Sequence, residues 1–326
     1  SGALVHTLDN PNAYGTSASD SFGVSVAISG NSAIVGAILE DDAGGNSSGK
    51  AYIFNVNSGA LVHTLDNPNA YSTSQYDLFG SSVAISGNYA IVGAFQEDDA
   101  GGTSSGKAYI INVSTGALVH TLDNPNAFST GASDWFGYSV AISGNSAIVG
   151  AYREDDAGGT SVGKAYIFNV TSGALVHTLD NPNPYSTTVN DFFSYSVAIS
   201  GNLAIATAYL EDDAGGLSSG KVYIYDVTTG ALLHTLDNPN VYGTSVGDEF
   251  GKVVAISGNL AIVGAPFEDD AGGNGSGKAY IYKVANNTTE TNSINVFGNI
   301  HTPGNITFDG TITLGNQYLD TVDFNA

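Results

Sequence analysis

Short apolar runs broken by Gly, Asn and Ser follow one another along the chain. Residues 82–86 (SVAIS) and 90–94 (AIVGA) flank Gly87-Asn88, and residues 108–113 (AYIINV) and 117–122 (ALVHTL) flank Ser114-Thr115-Gly116. Two apolar runs either side of Gly-Asn predict a tight hairpin, because Gly supplies the positive φ of a primed turn. The runs are rich in β-branched and aromatic residues, which favour strands. No apolar 3.6-residue period persists and Gly interrupts every run, so no helix is expected. Read in order, the segment holds four strands joined as an antiparallel meander. A polar loop at 97–106 separates the second strand from the third, and a longer loop at 123–133 follows the fourth.

This segment is one of five. His6, His63, His120, His177 and His234 mark the same place in each copy, 57 residues apart, with no insertion or deletion between copies. A four-stranded meander repeated at this period predicts an all-β fold, a five-bladed β-propeller, rather than a solenoid coil. The chain opens on a lone fourth strand (3–8), and the fifth copy ends on its third strand (279–284). Pairing these two would close the ring and remove an exposed sheet edge. The alternative is an arbitrary cut from a longer array. The expected organisation is a propeller over 1–285, a polar linker over 286–293 and a β-rich tail over 294–326.

In the second copy, Asp77-Leu78-Phe79-Gly80, Ser82-Val83-Ala84 and Val92-Gly93-Ala94 resemble the FG-GAP repeat of integrin α-chain propellers and bacterial surface proteins. The fifth copy keeps the full ending, Gly264-Ala265-Pro266. The resemblance covers about 1–285 and implies a β-propeller used for adhesion or ligand binding. Phe at the entry to the first strand is suited to wedge between blades, and the Gly beside it permits close backbone approach. Two departures stand out. The family usually has seven blades. Its Asp-rich calcium loop between the first two strands is here reduced to Gly30-Asn31 and equivalents, so that site is not carried over. The fourth copy also has Ser194 and Thr207 in place of Gly.

Charge narrows the class of partner. Asp and Glu number 31 against 8 Lys and Arg, a net charge of −23. This argues against nucleic acid, whose phosphates need basic side chains, and against anionic membranes. With no Cys there are no disulfides or thiolate metal sites. No run of 18 apolar residues predicts a helical membrane span. The chain begins at Ser1 within the repeat pattern, without a signal-like stretch, and reads as a piece of something longer.

Meander geometry places Asp9, Asp20, Glu40, Asp41, Asp42 and their equivalents at one end of the blades. These five positions in five copies account for 25 of the 31 acids, which predicts a strongly acidic face. The triplets Glu40-Asp41-Asp42, Glu97-Asp98-Asp99, Glu154-Asp155-Asp156, Glu211-Asp212-Asp213 and Glu268-Asp269-Asp270 precede Gly-containing turns and are candidate calcium ligands, since calcium takes several carboxylate oxygens. The competing reading is a solvated acidic loop partly neutralised by Lys50, Lys107, Lys164, Lys221 and Lys278.

The same end carries the positions where copies differ. Ile38-Leu39, Phe95-Gln96, Tyr152-Arg153, Tyr209-Leu210 and Pro266-Phe267 precede the triplets, and Ser21, Leu78, Trp135, Phe192 and Glu249 precede the Phe of the FG pair. Loop residues on a rigid scaffold are where binding commonly resides, so Phe95, Trp135, Tyr152, Tyr209 and Phe267 are candidate ligand contacts, suited to sugar rings or protein partners. Inter-blade packing is the alternative. The repeated His cannot share one metal across a ring and reads as a half-buried strand residue. No nucleophile-and-base pairing follows from the spacing, so no enzyme is expected and a hydrolase is the weakest reading.

After residue 284 the repeat stops. Segments such as 304–307 (GNIT), 313–316 (TLGN) and 320–326 (DTVDFNA) resemble stretches of structural and fibre proteins of marine bacteriophages, which implies a virion appendage and an oligomerising tail. The chain is therefore expected to be a non-catalytic adhesion or receptor-binding module with five similar loop sites, at an extracellular or virion surface. A host-cell glycan or surface protein is the expected partner, and Ca2+ the one cofactor in question. A structural spacer without ligand is the alternative.

Overall fold

Ser86 pairs with Tyr89 across Gly87-Asn88, with Gly87 at φ 56°, so the Gly-Asn signal closes a two-residue hairpin. The same turn recurs at Gly30, Gly144, Gly201 and Gly258. The structure is a computed structural model describing residues 2–11, 19–41, 45–68, 75–98, 102–125, 133–155, 159–182, 190–212, 217–239, 246–269, 273 and 275–284. Among these, every regular element is a strand. The first blade comprises Phe22–Ser29 (β1), Ser32–Ala37 (β2), Lys50–Asn55 (β3) and Leu61–Asp66 (β4). The second holds Ser82–Ser86 (β5), Tyr89–Ala94 (β6), Lys107–Asn112 (β7) and Leu118–Asp123 (β8). The third holds Ser139–Ser143 (β9), Ser146–Ala151 (β10), Lys164–Asn169 (β11) and Leu175–Asp180 (β12). The fourth holds Phe193–Ser200 (β13), Leu203–Ala208 (β14), Lys221–Asp226 (β15) and Leu232–Asp237 (β16). The fifth has Val253–Ser257 (β17), Leu260–Ala265 (β18) and Lys278–Lys283 (β19). Each sheet is an antiparallel meander in sequence order. This is the five-bladed β-propeller architecture that the repeat implies.

The described residues all fall within one compact unit, Ser1–Asn287. The expected linker and the β-rich tail lie outside the described residues.

The core sits between consecutive blades. Ile34, Ala51, Ile53 and Leu65 of the first blade meet Phe79, Val92, Ala94, Tyr109 and Ile111 of the second, and all of them are buried. The next two junctions use the same repeat positions. Phe79, Phe136, Phe193 and Phe250 are wholly buried, the inter-blade wedges expected of the FG pair. Glycine is required where backbones touch. A Cβ on Gly93 would lie 2.0 Å from the carbonyl oxygen of Gly137 in the next blade. That carbonyl accepts a hydrogen bond from Ser82 Oγ at 2.7 Å.

The fourth copy departs from this rule with a local consequence. Thr207 fills the place of Gly93, and the next blade stands further off. A Cβ on Gly251 would lie 3.2 Å from the Lys221 carbonyl oxygen, against 2.3 Å for the matching pair Gly137 and Lys107. Ser196, the counterpart of Ser82, accepts a hydrogen bond from the Val254 N–H at 3.3 Å.

Three of the repeat histidines bond the blade that follows them. Nε2–H of His63 donates to the Ser114 carbonyl at 3.1 Å, and His120 and His177 bond Thr171 and Thr228 of their next blades at 2.9 and 3.0 Å. Each stitches a fourth strand to the following blade's third-to-fourth turn.

One expectation is corrected. Residues 3–8 do not form the fourth strand of the fifth blade: among the described residues that sheet is three-stranded, and 2–11 form no strand. They lie instead against the first blade. His6 Nε2–H donates to the Asn57 carbonyl at 3.0 Å, and Leu8 packs on the cluster of Val35, Tyr52 and Phe54. The contacts of this segment with the blade after it form without its pairing to β19.

Candidate binding surface

The acidic triplets are assembled differently from a solvated loop. The first member of each, Glu40, Glu97, Glu154, Glu211 and Glu268, has no exposed surface. The loop after the second strand turns the Glu inward, where the third-strand Tyr of the same blade meets it. Tyr109 Oη lies 2.6 Å from both carboxyl oxygens of Glu97, and Tyr52, Tyr166 and Tyr223 repeat the pair with Glu40, Glu154 and Glu211 at 2.6–2.7 Å. Burial pushes the carboxyls of Glu97, Glu154 and Glu211 up to about 8, although the Tyr bond works the other way. Burial raises Glu40 as well. Each Tyr phenol is driven up in turn by burial and by its Glu.

The second acid of each triplet closes its own loop. Oδ1 of Asp41, Asp98, Asp155 and Asp212 accepts the backbone N–H of Ser47, Ser104, Ser161 and Ser218 at 2.8 Å, and Asp269 accepts that of Gly275 at 2.7 Å. The third acids, Asp42, Asp99, Asp156, Asp213 and Asp270, lie outside the described residues. Asp20, Asp77, Asp134, Asp191 and Asp248 are also buried, each accepting an Asn side-chain N–H at 2.8–2.9 Å. Two of the five acids expected on the acidic face are thus interior. Among the described residues, no group of three or more His, Asp or Glu is placed to hold a metal ion. In this arrangement the first acid of each triplet bonds a phenol and the second accepts a loop N–H.

The variable positions do converge. Phe95, Trp135, Tyr138, Tyr152, Phe192, Tyr195 and Tyr209 form one continuous run of ring contacts across the second, third and fourth blades. Phe95 meets Trp135 at 4.9 Å between centroids, and Trp135 meets Tyr152 at 5.6 Å. Tyr152 meets Phe192 at 5.2 Å and Tyr195 at 5.1 Å, and Tyr195 meets Tyr209 at 4.4 Å. Tyr138 touches Tyr152 at 4.5 Å and shares a hydrogen bond with Tyr195 at 3.2 Å. Two cations cap the run. The Arg153 guanidinium lies 3.7 Å from the Trp135 ring centroid, and Lys252 Nζ of the fifth blade lies 3.6 Å from that of Tyr209. Burial opposes the Lys252 charge, but Glu249 at 3.0 Å keeps its pKa above the usual lysine value.

The expected ligand contacts therefore divide. Tyr152 and Tyr209 are 5% and 7% exposed and serve as the floor of the cluster. Phe95 and Trp135 are half-buried and accessible. Phe267, 54% exposed, makes none of these ring contacts. The first blade offers Ser21, Val24 and Ile38 at the corresponding positions, so five similar sites become one composite patch. Burial lifts the Tyr152 phenol to about 12 despite Arg153 beside it. Trp135 and Phe192 also sit on left-handed backbone, at φ 60° and 55°. Such conformations are costly for bulky residues.

Sequence reasoning missed Tyr138, Tyr195 and Lys252. Their signal was present, since the residue after each FG pair runs Val24, Ser81, Tyr138, Tyr195, Lys252 and varies like its neighbours. A family model described as the FG-GAP repeat matches residues 12–54, 70–111, 129–168, 186–225 and 243–282, more than half of the chain. A search of curated proteins finds no match to the chain.

Proposed function

Because this chain belongs to the FG-GAP repeat family, we propose that it is a non-catalytic adhesion or receptor-binding module whose contact surface is the aromatic patch between Phe95 and Tyr209. FG-GAP propellers are typically surface-displayed binding modules, which fits display on a cell surface or virion appendage. The observation that carries the reading is the ring-to-ring run across three blades, capped by Arg153 and Lys252.

Its chemistry favours a glycan. Aromatic faces stack on the C–H faces of sugars, and Tyr hydroxyls supply polar anchors at the rim. Arg153 adds a local positive charge to a chain of net charge −23, while Lys252 is paired with Glu249, and this suits a sugar bearing a carboxylate or sulfate. Trp, Tyr and Arg are also the residues that dominate binding energy at protein interfaces, so a glycosylated surface protein presents the same chemistry.

The test uses immobilised neutral and acidic glycans with the wild-type chain and the Trp135→Ala and Lys252→Ala variants. Retention of acidic glycans, reduced at least tenfold by either substitution, is the expected result. Equal retention by all three proteins, or none on any glycan or on intact cells, overturns the reading.

A further inference from the structure

The aromatic run is assembled by one arrangement that recurs where blades meet. The residue after a second strand faces two residues of the next blade, one just before its FG pair and one just after. Phe95 meets Trp135 at 4.9 Å and Tyr138 at 5.3 Å between centroids. Tyr152 meets Phe192 at 5.2 Å and Tyr195 at 5.1 Å. At the next junction the Tyr209 ring lies 3.6 Å from Lys252 Nζ, and Lys252 pairs with Glu249 at 3.0 Å. Between the first and second blades the same repeat positions hold Ile38, Leu78 and Ser81, all half-buried. Consecutive junctions therefore differ in chemistry, from aliphatic through two aromatic ones to an aromatic ring beside an ion pair. The two aromatic junctions are fused, since Tyr138 also meets Tyr195 at 5.2 Å.

The backbone singles out one member of each junction. The residue before the FG pair is left-handed in every copy, with φ 58° at Ser21, 59° at Leu78, 60° at Trp135, 55° at Phe192 and 54° at Glu249. Glycine adopts this conformation freely, whereas a side chain adopts it at a cost. Two positions earlier the backbone is left-handed too, and there the fifth copy does use glycine, Gly247 at φ 75°. Before the FG pair no copy does. Five different residues share this one conformation and all keep accessible surface, so the fold does not choose among them. Backbone strain held at accessible positions points to a use outside folding.

Resting on the glycan-binding reading, we propose that these four junctions are successive subsites for one extended oligosaccharide, and that the residue before each FG pair selects the sugar unit its junction accepts. Trp135 and Phe192 stack on the faces of two central units. Arg153, over the Trp135 ring, places the acidic group of the ligand on a central unit and not at the Lys252 end. Lys252 and Glu249, already paired, offer a donor and an acceptor to the hydroxyls of an uncharged unit. Ile38 and Leu78 suit a unit with an apolar substituent, such as a methyl or acetyl group, at the other end. Affinity then grows with ligand length, which a single aromatic site does not produce.

The probes are oligosaccharides graded from single sugars to octamers, prepared from chitin, alginate and hyaluronan, with binding to the full chain measured by calorimetry. Affinity for at least one series should rise at least tenfold from disaccharide to tetrasaccharide and level off in longer members. Leu78→Gly should weaken binding of tetrasaccharides and longer members at least threefold, leave disaccharides unchanged and not lower the melting temperature. Ser21→Gly makes the same backbone change away from the aromatic run and should leave every affinity unchanged. Equal affinity for short and long members means one site only, which overturns this inference and leaves the glycan reading standing. The same holds if Leu78→Gly binds every length as the wild type does, or if it melts lower, which makes Leu78 a packing residue. Binding to no member of any series overturns the glycan reading and this inference with it.

Discussion

Both carboxyl oxygens of Glu97 lie 2.6 Å from the phenol oxygen of Tyr109, and neither residue is more than 1% exposed. A phenol has one proton to give, so two such short contacts are best satisfied when the carboxyl carries a proton too and returns it to the phenol. The same pair recurs in the first, third and fourth blades.

Stability should therefore fall as pH rises. The carboxyls of Glu97, Glu154 and Glu211 titrate at about 8 when folded, against 4.5 ordinarily. Above pH 4.5 the unfolded chain releases these protons while the folded chain holds them. Their contribution is full below pH 4.5 and is lost as pH rises through 8. Urea midpoints measured from pH 5 to pH 9 should fall, and the difference from a Glu97→Gln, Glu154→Gln, Glu211→Gln variant isolates these groups. A difference that does not change with pH contradicts the assignment.

Tyr109→Phe leaves the buried Glu97 carboxyl without its partner. A cost of about 1–3 kcal/mol is expected, the usual penalty for an unsatisfied buried polar group. Tyr280→Phe should cost less, because Lys278 also bonds Glu268, at 2.6 Å. Chemical denaturation of the two variants gives the comparison.

Gly93→Ala drives a methyl group into the Gly137 carbonyl of the next blade, 2.0 Å from the new Cβ. Overpacking of this kind costs about 1–3 kcal/mol. Thr207→Gly, at the matching position of the fourth blade, should change stability far less, since the fifth blade already stands off there. Thermal melts of both variants distinguish a rule of the repeat from a rule of each junction.

Trp135 is the one tryptophan of the chain, and Arg153 covers its ring at 3.7 Å. Arg153→Ala should shift its emission to the red and raise acrylamide quenching about twofold or more, reporting on the patch without any ligand. An unchanged spectrum means that the guanidinium is not on the ring in solution.

The blades were legible because their signals are local. Gly-Asn between apolar runs fixes a hairpin whatever surrounds it, and the strand boundaries fell within one residue of those read from the second copy. The Phe wedge was also legible, since Phe beside Gly has few other uses in a strand. The acids were not. Glu97 follows a loop and precedes two aspartates, a pattern that reads as solvated until Tyr109, twelve positions on, is seen to face it from the third strand. The candidate aromatics were identified, but each copy holds only some of them. Their convergence depends on blade order in space, which a reading one unit at a time does not supply. The unpaired fifth sheet is a tertiary fact as well, decided by where residues 2–11 lie and not by their strand-like pattern.

The Thr207 junction reaches beyond stability. Copies that meet through one shared set of contacts are interchangeable, so a gene built this way can gain or lose whole units by unequal recombination and leave every remaining contact intact. Thr207 breaks that symmetry, because only a neighbour that stands off can follow it. The fourth and fifth units are in effect a matched pair. Recombination that separates them would meet a steric penalty that recombination among the first three would not, so descendants of this chain should vary in length upstream of that junction and inherit the pair together.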